Sequence, residues 1–276
     1  MKKDIIYKIT SVSGGSYIPP LPERRVIYYT SSQPITGEWV EENTIKSVWS
    51  RSTGIGALYL KEGITTLDSN TPLQHNAALT NLNLSKSEIT TILTGAFGNN
   101  THLAEIIFPD TLENLSPDCV TSTAPLRVLR ISNNEIYNDG NGSNCIIETD
   151  TNILVLGCVN TTIPGSVDSI GYKAFYDNDI DIIEIPGNIS SIGESAFGHC
   201  GYLSTVYSYS LVPPVIESGN FEISPDTLYV PYAALTDYLQ SPWADYFDEI
   251  LPMDTPETLT ITAIAFPEYG GTLILE

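Results

Sequence analysis

The feature that most constrains this chain is a phrase that keeps returning. Ile92-Leu-Thr-Gly-Ala-Phe97, Ile170-Gly-Tyr-Lys-Ala-Phe175 and Ile192-Gly-Glu-Ser-Ala-Phe197 are versions of it, and Leu115-Ser-Pro-Asp-Cys-Val120 is a worn copy. An aliphatic residue stands three positions upstream each time (Ile89, Val167, Ile189, Leu112), and a spaced triplet follows (Leu103/Ile106/Phe108, Ile180/Ile183/Ile185, Leu126/Leu129/Ile131). A looser copy runs from Ile64 and Leu67 to Leu79, Leu82 and Leu84, and the last full copy keeps Leu203 and Val206 before turning polar. The period is 23 residues from Ile89 to Leu112 and 22 from Val167 to Ile189. A unit this short cannot close a core alone, so successive units must stack.

Side chains alternate along a strand, so Leu-x-x-Leu-x-Leu puts its last apolar residues on one face of a short strand. Val-x-x-Ile supplies the opposite wall, and Ala-Phe fills the space between. The chain is therefore read as a β-rich right-handed superhelix of about 22–25-residue repeats, with short strands, few helices and one continuous elongated core. A stack exposes raw core at both ends and needs caps. Residues 1–55, with a strand at Val26–Thr30 and Trp39 and Trp49 as anchors, read as an irregular β N-terminal cap. The solenoid then spans 56–252. It closes on a strand at Leu228–Val230 and a helix whose Leu235, Tyr238 and Leu239 share a face, with Trp243 and Phe247 adding bulk. Residues 253–276 alternate around Gly270-Gly271 and read as a hairpin or the start of a further β module.

With these residues in view the chain resembles the BspA-type leucine-rich repeat family. The resemblance rests on Ile163-Pro-x-x-Val167-x-x-Ile170-Gly-x-x-Ala-Phe175 and its echo from Ile185-Pro to Leu203. Asn144–Cys158 resembles that family's inserted hairpin, and Thr227–Pro231 with Tyr238, Trp243, Phe247 and Ile250 resembles its closing cap. The likeness covers roughly residues 26–252 and implies a leucine-rich repeat solenoid. It also implies a bacterial cell-surface or secreted protein that adheres, without catalysis, to a protein or glycan partner, the family pointing to host extracellular matrix proteins or other cells. A structural or self-associating part of a surface or phage-like assembly is the alternative. In the hairpin, Cys145 and Cys158 either pair or stay free, because closeness in sequence does not fix Cβ geometry.

Charge narrows the partners. Residues 131–276 hold 21 of the 33 acidic side chains but one of the 12 basic ones, Lys173. Such a half repels phosphate backbones and anionic bilayers, so neither nucleic acid nor membrane insertion is expected. No apolar run approaches the roughly 20 residues a bilayer needs. The first eight residues lack a secretory h-region, so no working signal peptide is expected. No P-loop, nucleophile elbow or HExxH is present, His75, His102 and His199 read as loop histidines, and no cofactor is expected. Glu105 and Glu184 fall about 14 Å apart at three coils' spacing, too far for a glycosidase pair.

Two candidate sites remain. Asp177, Asp179 and Asp181 put three carboxylates in one turn, a weak calcium candidate with no other metal site in view. Outward positions of successive strands form the stronger one: Asn81/Asn83, Glu105/Ile107, Val128/Arg130, Ile182/Glu184 and Thr205/Tyr207. They would make a concave ligand-binding face mixing aliphatics with Arg130 and Tyr207, residue types favoured at interface hot spots.

Overall fold

Neighbouring residues of an extended chain point to opposite faces, so a run such as Leu79-Thr-Asn-Leu82-Asn-Leu84 buries one face and leaves the other wet. The computed structural model describes residues 23–123, 126–222 and 225–253, and the hairpin expected within 253–276 lies outside them but for Met253. The described residues wind through about eight turns of β-solenoid with few helices.

It starts with β1 (Val26–Ser31), the six-residue helix α1 (Glu38–Asn43), β2 (Thr44–Trp49) and β3 (Ile55–Leu60), followed by β4 (Thr66–Leu67) and β5 (Leu79–Lys86). β1 lies between β3 and β5, antiparallel to both, and β2 flanks β3. Trp39 and Trp49 pack against the core as anchors, and the Trp49 indole N–H donates to the Ser31 carbonyl at 3.2 Å. The Tyr29 ring crosses β3 at Gly56, where a Cβ would stand 2.1 Å from it.

Each later coil gives a strand to a first column and two residues to a second. The first column continues from β5 and the second from β4. The chain passes through β6 (Thr91–Ile92), β7 (Glu105–Ile107), β8 (Asn114–Leu115) and β9 (Val128–Arg130). β5, β7 and β9 pair in parallel, as do β4, β6 and β8. Next come β10 (Tyr137–Asn138), β11 (Cys145–Glu148) and β12 (Ile153–Gly157), an antiparallel set. Beyond it are β13 (Ser169–Ile170), β14 (Ile182–Ile185), β15 (Ser191–Ile192), β16 (Thr205–Ser208), β17 (Val215–Ile216), β18 (Thr227–Val230), the helix α2 (Leu235–Leu239) and β19 (Glu249–Pro252). β12, β13, β15 and β17 stack in parallel, and so do β14, β16, β18 and β19.

The Ala-Phe pairs fill the interior as expected: Ala96, Phe97, Ala174, Phe175, Ala196 and Phe197 are all buried, and so are Cys119 and Val120 of the worn copy. In the second half the rings form a ladder. Phe175 stacks on Phe197 at 5.1 Å, and Phe197 on Phe221 at 5.2 Å. Phe221 belongs to a copy that the repeated phrase conceals, Ile216-Glu-Ser-Gly-Asn-Phe221, in which asparagine replaces alanine. The Phe197 amide, which by analogy with Phe175 would donate to a backbone carbonyl, donates to the Asn220 side-chain oxygen at 3.0 Å.

One expectation is corrected: the core is two clusters rather than one continuous spine. Ile146, Leu156 and Cys158 belong to the first; Cys145, Ile147 and Leu154 belong to the second. Side-chain alternation, with a register shift between Ile146 and Ile147, makes the β11–β12 hairpin a plate buried on both faces. The thiols of Cys145 and Cys158 therefore serve opposite cores, and both are free. Burial pushes the Cys145 thiol up to about 12.

Around the plate's rim the coils before and after it clasp each other. The Lys173 ammonium meets Asp118 at 3.3 Å and lies 4.7 Å from the Tyr176 ring centre, and Ser122 donates its amide and hydroxyl to Asp177, both at 2.7 Å. Burial works against ionising Asp118, but hydrogen bonds from Ser116, Thr94 and Lys173, with the lysine charge, hold its carboxyl below the ordinary value. Burial also opposes the charge on Lys173, which Tyr172 and Asp118 nevertheless hold above its ordinary value. A lowered carboxyl stabilises the fold above its unfolded pKa of about 3.9 and loses that contribution as pH falls through the folded value. A raised lysine contributes below about pH 10.4 and loses its contribution as pH rises through the folded value. Lys173→Met is expected to cost about 1 kcal/mol at neutral pH. Urea titrations should show the gap from the parent closing in acid.

At the far end Tyr238 is fully buried, with its hydroxyl 2.6 Å from that of Ser208, and the Trp243 indole N–H donates to the Pro214 carbonyl at 2.9 Å. Leu239, expected on the buried face, is 52% exposed. α2 ends at this residue, so its second turn never reaches the core.

Candidate interaction surface

The outward positions form two patches rather than one column. In the first, Asn81, Glu105 and Val128 stand in register, as do Asn83, Ile107 and Arg130. Its polar groups are already engaged. Asn81 donates to Glu105 at 2.8 Å, and the Asn83 side-chain oxygen accepts from the Ser85 amide and hydroxyl at 3.0 and 2.7 Å. Arg130 donates to its neighbour's carbonyl, Leu129, at 2.9 Å and to Asn144 Oδ1 at 2.7 Å. Its guanidinium is folded back over the edge of β9, where it acts as a plug.

The second patch runs across β14, β16, β18 and β19. Ile182, Thr205, Thr227 and Glu249 form one row, and Glu184, Tyr207, Tyr229 and Leu251 the next. Tyr207 and Tyr229 stack at 4.9 Å with planes 12° apart. Ile182 is 54% exposed, and the Tyr209 hydroxyl donates to Glu184 at 3.3 Å. Thr227, Tyr229, Glu249 and Leu251 extend the face beyond the outward residues that the sequence names. The sequence does carry a signal for two of them, since alternation along the strand at Leu228–Val230 puts Thr227 and Tyr229 on its outer side. The break falls between β9 and β14, which end separate sheets. Glu105 and Glu184 therefore lie on different patches.

The profile of the BspA type leucine-rich repeat region matches in six copies, over residues 44–145 and 156–225. That is more than half of the chain. The chain belongs to the BspA-type leucine-rich repeat family. Among solved structures it is similar to a leucine-rich cell surface protein from Faecalibacterium prausnitzii, at 15% identity over 71% of this chain and 59% of that one, with a TM-score of 0.41. It is also similar to a leucine-rich repeat protein from Bacteroides ovatus, at 14% identity over 55% and 37% of the two chains, with a TM-score of 0.36. A third is the pneumococcal vaccine antigen PcpA, at 13% identity over 62% and 61%, with a TM-score of 0.31. The chain thus spans less than two thirds of the length of these three proteins. No curated protein sequence matches it.

In this BspA-type chain the calcium candidate does not assemble. Asp177 is bound to Ser122 in the coil before it, and Asp181 accepts from Ser204 in the coil after it at 2.7 Å. Asp179 stays exposed, its carboxyl raised by partial burial and by the charge of Asp177. Among the described residues no three His, Cys, Asp or Glu side chains converge to hold a metal ion. The histidines serve the coil surface: His199 lies on the Tyr176 ring at 4.8 Å and within 3.0 Å of Glu222, and His102 meets the Thr101 hydroxyl at 3.1 Å. Among the described residues no helix is long and apolar enough to cross a membrane.

Proposed function

We propose that this chain is a non-enzymatic binding module, displayed at a bacterial surface, that docks a protein partner on the face spanning β14 to β19. The observation that carries this reading is the Tyr207–Tyr229 stack, 4.9 Å between centres, set in a row with Glu184 and Leu251. Tyrosine offers a large, stiff contact area and a polar tip, which suits an interface hot spot. Family membership supports a repeat scaffold built to present such a face, and the acidic second half favours a basic protein over nucleic acid. Host extracellular matrix proteins are the partner class that the family resemblance implies.

The double variant Tyr207→Ala/Tyr229→Ala is expected to weaken binding to the retained member of an extracellular-matrix protein array by about 2 kcal/mol or more. Both side chains stand on the outer face, so melting should move little. Full affinity in a folded double variant would remove this face from the account. Self-association is the second reading. It is favoured by the segment around Pro213-Pro214, where Leu211, Val212 and Val215 are 64, 72 and 68% exposed. Light scattering distinguishes the two, since only the second requires an oligomer.

A further inference from the structure

The break between the patches has a specific cause, which leaves a strand edge open. Cys158-Val-Asn-Thr161-Thr-Ile163-Pro164 sits one 22-residue period before Ile180-Asp-Ile-Ile183-Glu-Ile185-Pro186 and occupies the place of a first-column strand. No strand forms there. Thr161 takes the inward position held by Ile183 in the next coil. Its hydroxyl donates to the Asn144 carbonyl at 2.6 Å and accepts from the Cys158 amide at 2.8 Å. The Thr162 amide donates to the Ser143 carbonyl at 3.1 Å. The segment is thus bonded back to the start of the hairpin and away from β14.

The edge of β14 that a neighbouring strand would have covered is therefore bare. Alternate residues of β14 bond to β16: the Thr205 amide reaches Asp181 and the Tyr209 amide reaches Ile185, at 3.3 and 3.0 Å. That alternation turns the N–H and C=O groups of Ile182 and Glu184 to the other side, where none has a hydrogen-bond partner among the described residues. The facing edge of β9 is handled differently. Val159 donates to the Leu126 carbonyl at 3.1 Å, and Arg130 covers Leu129. Between segment 161–163 and β14 runs a cleft of about 410 Å³, walled by Thr161, Thr162, Ile163, Ile182, Glu184 and Tyr209.

We infer that this cleft is a strand-addition site, taking an extended segment of a partner in which apolar residues alternate with lysine or arginine. The main chain of the segment pairs with Ile182 and Glu184, as added strands do at open sheet edges. Alternation turns its apolar side chains inward, against Ile163 and Ile183. Its cations face Glu184, in a half of the chain with 21 acidic side chains and one basic one. The site uses main-chain groups of β14, so it does not depend on the tyrosine face proposed above.

The probe is a synthetic peptide of about eight residues alternating valine and lysine, titrated into the full chain. The amide signals of Ile182 and Glu184 should shift first. A valine–glutamate peptide should bind at least tenfold more weakly, and methylating the peptide amides on the pairing side should cost at least tenfold. Ile182→Pro removes an N–H that the fold leaves unpaired and places a ring on the edge, so it should abolish binding. Tyr207→Ala/Tyr229→Ala should leave peptide affinity unchanged, which separates failure of this site from failure of the tyrosine face. If Ile182→Pro does not fold, the amide shifts of the parent chain decide. No binding up to about 1 mM, shifts confined to other strands, or equal affinity in a folded Ile182→Pro variant would each overturn the assignment.

Discussion

Phe197→Ala is expected to lower stability by about 3–5 kcal/mol. The ring lies between Phe175 and Phe221, at 5.1 and 5.2 Å with planes within 10° and 7° of parallel. Truncation removes both ring contacts at once. The space cannot collapse readily, because the coils on either side are held by strands bonded at a fixed spacing of about 4.8 Å. Phe221 also touches Trp243 and Phe247, so the loss propagates into the closing cap. Denaturant titration beside the surface control Ser218→Ala gives the measurement. A loss no greater than the control's would mean that the ladder does not support the fold.

The second large effect comes from adding one methyl group. A Cβ on Gly157 would stand 2.1 Å from the Phe175 ring, while the Gly157 amide donates to the Ala174 carbonyl at 2.8 Å and fixes the strand in place. Gly157→Ala must push Phe175 off its partner, at a cost of about 1–3 kcal/mol. Phe175→Leu relieves the crowding, so the double variant should be less destabilised than the sum of the two single ones. Strict additivity in that cycle would show that the ring is not the obstacle.

The repeating architecture was legible because its residues recur at fixed spacing and have one plausible environment. Phe97, Phe175 and Phe197 each follow alanine and an aliphatic wall, and all three are buried where the spacing puts them. Phe221 is hidden because Asn220 breaks the phrase, although the Asn220 side-chain oxygen accepts the Phe197 amide where a main-chain carbonyl accepts that of Phe175. The family resemblance puts Cys145, Ile146 and Ile147 in a hairpin, but no local pattern tells which core each residue enters, since that depends on a one-residue register shift. The face was half legible. Alternation found its outward residues, yet Arg130 as plug and Thr161 as strand breaker both depend on Asn144, which is 14 and 17 residues away. The carboxylates of the aspartate turn are drawn apart for a related reason. They bond to serines one coil below and one above, an arrangement that only stacking creates.

The plate between the two hydrophobic clusters has a consequence for how the molecule comes apart. Repeat arrays are stabilised by nearest-neighbour interfaces, and here one interface consists of a single hairpin together with Lys173–Asp118 and Ser122–Asp177 at its rim. The hairpin gives each block a lid, so losing one block need not expose the other. Unfolding under load or in denaturant should therefore pause at this seam, with one end of the array still wound and the other already loose.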